Sequence, residues 1–296
     1  MTAKLKRADL GHLVSRWFPT AELDVLLDLT YFVGWMYLVD DQIDQLAGSR
    51  EHAEDFRAMA DDTITYAEQL LGLRSKNKPV TALHPGVYSF QRTAEALRER
   101  YTVDQRELFI AETAYTMKMY ELENDFRVAQ RLPTLDEYWS YREGTSCCAM
   151  VIAMVEFANG LRIPPEVMRH PIMESVRKQA NFIHWIANDI LSAKKELREG
   201  FAENLIVLYS GPECRGQTGM DAAVDHLEKA IAQFEVAASD AMKYWKYDEE
   251  LSRVIGDYII GCKLACVGSI DWSVQTFRYG LGEAERDAEG GLTIVL

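Results

Sequence analysis

Residues 21–45, AELDVLLDLTYFVGWMYLVDDQIDQ, decide the fold. The stretch contains no proline and is apolar almost all round a 3.6-residue period, so it predicts one central helix. Its most apolar part, residues 23–39, is interrupted by Asp24 and Asp28, which marks a buried core helix and not a membrane span. At its far end stand Asp40, Asp41 and Asp44. At about 100° per residue, Asp40 and Asp44 lie about 40° apart, with Asp41 to one side. Three carboxylates crowded there repel one another and oppose the helix dipole. A hard, oxygen-seeking cation would reconcile them. Taken alone, the run reads equally as a solvated helix end.

Outward from this helix the chain keeps the same period. Only eight prolines and eighteen glycines punctuate the 296 residues. No short, evenly spaced alternating runs signal a sheet. Further helices are predicted over 51–71, 86–100, 103–131, 136–144, 145–159, 174–199, 220–244 and 249–278. Thr134 with Glu137 has capping-box spacing, Gly144 reads as a break between two helices, and Asn159-Gly160 and Gly200 read as stops. The 48% hydrophobic content fills one large core or two small ones. With no repeat and no linker-like stretch, one all-α domain is predicted over 1–296. Its glycine-rich, charged tail, 281–296, is expected to be mobile without a ligand.

The net charge of −14, from 46 acidic against 32 basic residues, argues against a nucleic-acid partner. It suits a protein that collects divalent cations, and equally one with a solvated acidic surface. Five cysteines (Cys147, Cys148, Cys214, Cys262, Cys266) have no metal-ligand spacing and read as reduced thiols of a cytoplasmic protein. The first residues carry basic side chains but no apolar run after them, so no signal peptide is expected. Oligomeric state is unread, and a homodimer is left open.

Two further groups carry chemistry. In residues 188–196, NDILSAKKE, the oxygens of Asn188, Ser192 and Glu196 recur every four residues and form one stripe, with Lys195 beside it. An amide carbonyl, a hydroxyl and a carboxylate make a hard-cation site with room for water and phosphate oxygens. The stripe runs along an otherwise apolar segment containing Phe182, Trp185 and Ile190, which fits poorly with a merely exposed polar face. Arg142 stands near Gly144, and Arg278-Tyr279 ends the last long helix. Arginine offers a planar fork of donors to phosphate oxygens, and tyrosine adds a hydroxyl.

The order VDDQID, Arg142, NDILSAKKE, then Trp272 before Arg278-Tyr279, resembles microbial class I terpene synthases over nearly the whole chain. Residues 141–161, YREGTSCCAMVIAMVEFANGL, resemble the fungal sesquiterpene cyclases in particular. The resemblance implies a helical bundle around a deep apolar pocket, open where three Mg²⁺ bind the diphosphate of a linear isoprenyl substrate. It implies that Asp40 bridges two of the ions, supported by Asp41 and Asp44, and that Asn188, Ser192 and Glu196 hold the third. Arg142 matches the family's diphosphate-sensing arginine. Lys195, Arg278 and Tyr279 would complete the clamp around the leaving group. Thr145 stands where the family often has Asp, and would link Arg142 to Ser146 at the helix break. The N-terminal segment that caps the site on closure in fungal members is expected to be short or missing.

The implied activity is that of a lyase, ionising farnesyl diphosphate and cyclising the cation to a sesquiterpene. Geranyl diphosphate, and so a monoterpene, is the alternative. Tyr37 and Trp272 match pocket aromatics of the family, where cation–π attraction is worth roughly 0.5–2 kcal/mol. Trp185 and Asn181 read equally as pocket lining or as core. A chain-elongating prenyltransferase or a squalene-type synthase would need a second aspartate-rich motif where NDILSAKKE stands. A non-catalytic helical diphosphate-binding protein would not need intact metal ligands on both helices.

Overall fold

The computed structural model describes residues 9–74, 84–211, 216–282 and 291–294. These form fourteen helices and no strand. In chain order they are α1 (Leu10–Trp17), α2 (Leu23–Leu46), α3 (Ala53–Leu70), α4 (Pro85–Tyr88), α5 (Gln91–Arg100), α6 (Val103–Val128) and α7 (Leu135–Thr145). Then follow α8 (Cys148–Ala153), α9 (Val155–Asn159), α10 (Pro165–Met168), α11 (Pro171–Glu199), α12 (Leu205–Ser210), α13 (Gly216–Tyr244) and α14 (Glu249–Gln275). No helix among the described residues is long and apolar enough to cross a membrane.

The helix α2 is central, as its sequence requires. Phe32 and Trp35 on α2 meet Phe90 and Phe109, the Trp35 and Phe90 rings lying 4.6 Å apart. Its two interrupting carboxylates are paired at the helix flank: Asp28 with Arg92 at 2.8 Å and Asp24 with Arg100 at 2.6 Å. Around α2, α11 packs against α13 and α14, and α3 packs against α6. The Thr134 capping box forms: Thr134 Oγ1 accepts from the Glu137 amide, and Glu137 Oε2 accepts from the Thr134 amide at 2.7 Å.

Several boundaries differ from the sequence expectation for identifiable reasons. Gly144 does not break its helix, since α7 runs on to Thr145. The glycine instead lets α7 approach α6, where an added Cβ would strike Met119 and Tyr115. The break falls at Cys147, held at φ 59°, and a second one at Met154 divides 145–159 into α8 and α9. The last long helix ends at Gln275 and not at Arg278, because Thr276 turns to extended backbone. In the tail, Leu281 is buried, and Leu292 and Ile294 pack against the core. The rest of the expected mobile segment, 283–290 and 295–296, lies outside the described residues, as does Cys214. The other four cysteines are free and buried.

Three short helices, α1, α10 and α12, have no counterpart in the sequence reading. Helix α1 crosses α2 and α14. It is seated at Gly268, where an added Cβ would fall on the carbonyl of Arg16. Gly268→Ala should therefore cost about 1–3 kcal/mol through forced separation of α1 and α14. Gly34 lies inside α2 with nothing within 4 Å of an added Cβ, so Gly34→Ala should be neutral or stabilising by about 0.4–1 kcal/mol. Urea titration of the two variants checks the contrast.

Candidate active site

A cavity of about 250 Å³ opens between α1, α2, α6, α11, α14 and the junction of α7 with α8. Its charged end is lined by Asp40, Asp44, Glu123, Arg127, Arg142, Lys195, Glu196 and Arg278. Its other end is apolar, with Leu13 and Trp17 from α1, Met36 from α2, Val151 from α8 and Trp272 from α14. The division follows in part from sequence: the cavity-lining carboxylates of α2 and α11, Asp40, Asp44 and Glu196, stand in the last turns of their helices, with Met36 one turn before Asp40.

At the α2 side, Asp40 Oδ1 accepts from the Tyr120 hydroxyl at 2.7 Å. Burial pushes the Asp40 carboxyl pKa up and the neighbouring Asp44 adds to this, offset by Tyr120, Arg278 and Arg127. Asp44 pairs with Arg127 at 2.9 Å. The same guanidinium also holds Glu123 at 3.2 Å and Glu203 at 3.3 Å. Burial moves the Glu123 carboxyl up to about 7 despite Arg127 beside it. Asp41 does not line the cavity, and its Oδ2 accepts from Gln45 at 3.3 Å.

At the α11 side, Asn188 and Glu196 line the cavity, and Ser192, on the same stripe between them, does not. Ser192 Oγ is buried without a hydrogen-bond partner. Asn188 Oδ1 accepts from Arg142 at 3.1 Å, and its Nδ2 donates to the Tyr279 hydroxyl at 2.9 Å. Glu196 Oε2 accepts from Asn204 at 2.9 Å. Lys195 pairs with Glu199 at 2.8 Å. Among the described residues, no three His, Cys, Asp or Glu side chains converge closely enough to hold a metal by themselves. Any ion bound here must draw ligands from the amide, the hydroxyl, water or a bound anion as well.

Arg142 is fixed by an unexpected partner. Its Nε and Nη2 donate to Asp189 Oδ1 at 3.0 and 2.6 Å, with Asp189 wholly buried. The other Asp189 oxygen accepts from the Tyr138 hydroxyl and from the Leu205 amide at 3.1 Å. Asp189 is a charged residue on the apolar stripe of α11, one turn after Trp185. That placement is the signal in the sequence that a cationic partner was needed.

The expected link from Arg142 through Thr145 to Ser146 is not formed. Thr145 Oγ1 is buried with no hydrogen-bond partner, and Ser146 Oγ bonds the Glu143 carbonyl and the Cys148 amide, both at 3.3 Å. Both residues nevertheless line the cavity beside the Cys147 break. Arg278 stacks over Tyr37, 5.4 Å from the ring centroid, so that one face of Tyr37 already carries a cation. The Arg278 Nε is buried and unpartnered. Trp272 lines the cavity edge-on to Tyr279, at 5.8 Å. Trp185 and Asn181 do not line it: Trp185 packs on Trp139 at 4.7 Å, and Asn181 donates to the Glu143 carbonyl at 3.0 Å.

The fold recurs in known proteins. The solved structure of α-eudesmol synthase superposes with a TM-score of 0.80 over 93% of this chain and 87% of that one, at 21% identity. Germacradien-4-ol synthase from Streptomyces citricolor gives 0.77 over 93% and 87%, at 19% identity. At these identities the likeness shows a shared class I terpene synthase fold. The sequence of the sesquiterpene cyclase hepA of Aspergillus oryzae is 31% identical over 99% of this chain and 82% of that protein. Terpene cyclase 4 of Gibberella fujikuroi is 24% identical over 92% and 72%. The family described as terpene synthase family 2, C-terminal metal binding, matches residues 31–233, and the chain belongs to that family of enzymes.

The Arg142–Asp189 pair can be tested apart from any activity. Asp189→Ala strands a buried guanidinium and should cost about 3–5 kcal/mol in chemical denaturation. Adding Arg142→Met to it should recover most of that loss. Equal instability of the double variant would mean that packing, and not charge, accounts for the effect.

Proposed function

We propose that the chain is a single-domain sesquiterpene cyclase that ionises farnesyl diphosphate with Mg²⁺ and closes the resulting carbocation into a ring. The observation that carries this reading is the meeting of α2 carboxylates, α11 oxygens and two arginines at one end of a cavity whose other end is apolar. The donors are oxygens, as hard cations require, and the unpartnered Ser192 hydroxyl and the buried Asp40 carboxylate both lack full satisfaction without one. Asp40 and Asp44, with Asp41 behind them, would hold ions on one side, and Asn188, Ser192 and Glu196 on the other, three Mg²⁺ in all. Bound there, the ions would offset the negative charge that gathers on the departing diphosphate.

Arg142, Lys195, Asn188, Arg278 and Tyr279 would bind the diphosphate oxygens. Asp189 keeps the Arg142 fork oriented before substrate arrives, which is the preorganisation that electrostatic catalysis needs. Thr145 and Ser146 would present the helix break to the ionising carbon. Trp272 and Tyr37 would stabilise cations by their ring faces, Tyr37 with the face that Arg278 leaves uncovered. The apolar walls exclude water from the cation. A cavity of about 250 Å³ lies near the lower limit of ligand clefts, about 300 Å³. This favours a farnesyl or geranyl chain over a longer one. Incubation with geranyl, farnesyl and geranylgeranyl diphosphates, with and without Mg²⁺, followed by diphosphate and volatile analysis, tests the reading. Absence of Mg²⁺-dependent diphosphate release from all three would overturn it.

Asp40→Asn and Glu196→Gln should each abolish diphosphate release with circular dichroism unchanged. Arg142→Lys should lower turnover on the order of a hundredfold, because one ammonium cannot pair with Asp189 and also donate a fork to diphosphate. Trp272→Phe should keep most activity. Trp272→Leu should slow turnover and divert products towards acyclic and monocyclic compounds, and an unchanged product profile would make Trp272 core packing.

A further inference from the structure

Of the side chains lining the apolar half of the cavity, His184 is the strongest base that the proposed chemistry leaves without a task. It sits on α11 one turn before Asn188, is 3% exposed, and faces the cavity. Its ring meets Trp17 edge-on at 5.4 Å. Neither ring nitrogen forms a hydrogen bond; Nδ1 is sealed off entirely, which leaves Nε2 as the nitrogen the cavity can reach. A histidine serving only as core is ordinarily satisfied by a hydroxyl, a carbonyl or a carboxylate.

We propose that His184 is the proton acceptor that terminates the cyclisation. The step rests on the terpene cyclase reading above. A C–H bond on a carbon beside the last cationic centre breaks, and its electron pair becomes the new C=C bond of a neutral olefin. The proton moves to the lone pair of Nε2, giving an imidazolium. For Nε2 to accept, the resting ring must carry its single proton on Nδ1.

The surroundings favour this assignment over the other lone pairs in reach. Burial lowers the His184 pKa to about 4, so the ring is neutral at neutral pH. A carbocation is so strong an acid that a weakened base still accepts its proton. Such a base also releases the proton readily, to the departing diphosphate or to water when the product leaves. The hydroxyls of Ser269 and Ser273 are far weaker bases, and burial keeps the Cys148 thiol protonated, its pKa raised to about 11. The carboxylates stand at the charged end, among the proposed metal ligands. The diphosphate itself is the rival acceptor.

His184→Phe keeps a ring against Trp17 and removes the base. Ionisation precedes proton loss, so its diphosphate release should stay within about threefold of wild type, while the share of the principal olefin falls about tenfold in favour of alcohols and isomeric olefins. In His184→Ala, added imidazole should restore the olefin share, and the near-isosteric but much less basic pyrazole should not. An unchanged product profile in His184→Phe would hand the proton to diphosphate and overturn the proposal. Failure of imidazole, or equal restoration by both rings, would overturn it too. Wild-type protein that releases no diphosphate would instead overturn the cyclase reading on which the proposal rests.

Discussion

The buried ion pair between Arg142 and Asp189 organises the site. One carboxylate accepts from the Arg142 guanidinium, the Tyr138 hydroxyl and the Leu205 amide, and so joins α7, α11 and the start of α12. Asn204 donates from the same turn to the Asp189 carbonyl and to Glu196, both at 2.9 Å, carrying the fixation on to the α11 stripe. A charge pair taken out of water earns its place only when every remaining donor and acceptor is satisfied. Asp189 meets that condition on both of its oxygens.

A second guanidinium plays the opposite part at the rim. Arg127 divides itself among Asp44, Glu123 and Glu203, from three segments of the chain. None of these contacts has the closure of the Asp189 pair, and Asp44 is half exposed. Arg127 therefore restrains a cluster of like charges that would otherwise push α2, α6 and the segment after α11 apart. The two arginines differ in kind: one fixes geometry on a single buried carboxylate, and the other balances charge among carboxylates that run from buried Glu123 to half-exposed Asp44.

Much of this was legible in the sequence, and the rest was hidden for physical reasons. Helices α2, α6, α11 and α13 announce themselves by length and period, and the carboxylates of α2 and the oxygens of α11 by their spacing along a helix. Arg142, Lys195, Arg278, Tyr279, Tyr37 and Trp272 all reach the same cavity. The short helices α1, α10 and α12 carry too few turns for a period to emerge, and their stability comes from packing. Tyr120, Glu203 and Asn204 act through contacts distant in sequence, which spacing cannot reveal. Gly144 reads in the sequence as a break between helices because glycine more often ends helices than fits between them. His184 belongs to no motif, and its place in the cavity wall emerges only in the structure.

The division of the cavity into a hydrogen-bonded end and an unbonded end bears on how such a protein changes through generations. At the charged end, each residue is tied to others, so a substitution there is felt by the whole constellation. Leu13, Met36 and Val151 at the apolar end make only van der Waals contacts, and the indole Nε1 atoms of Trp17 and Trp272 bond to nothing. Replacing one of these alters the contour of the wall without breaking a polar connection. The contour of the wall can therefore change while the polar constellation beside it stays in place.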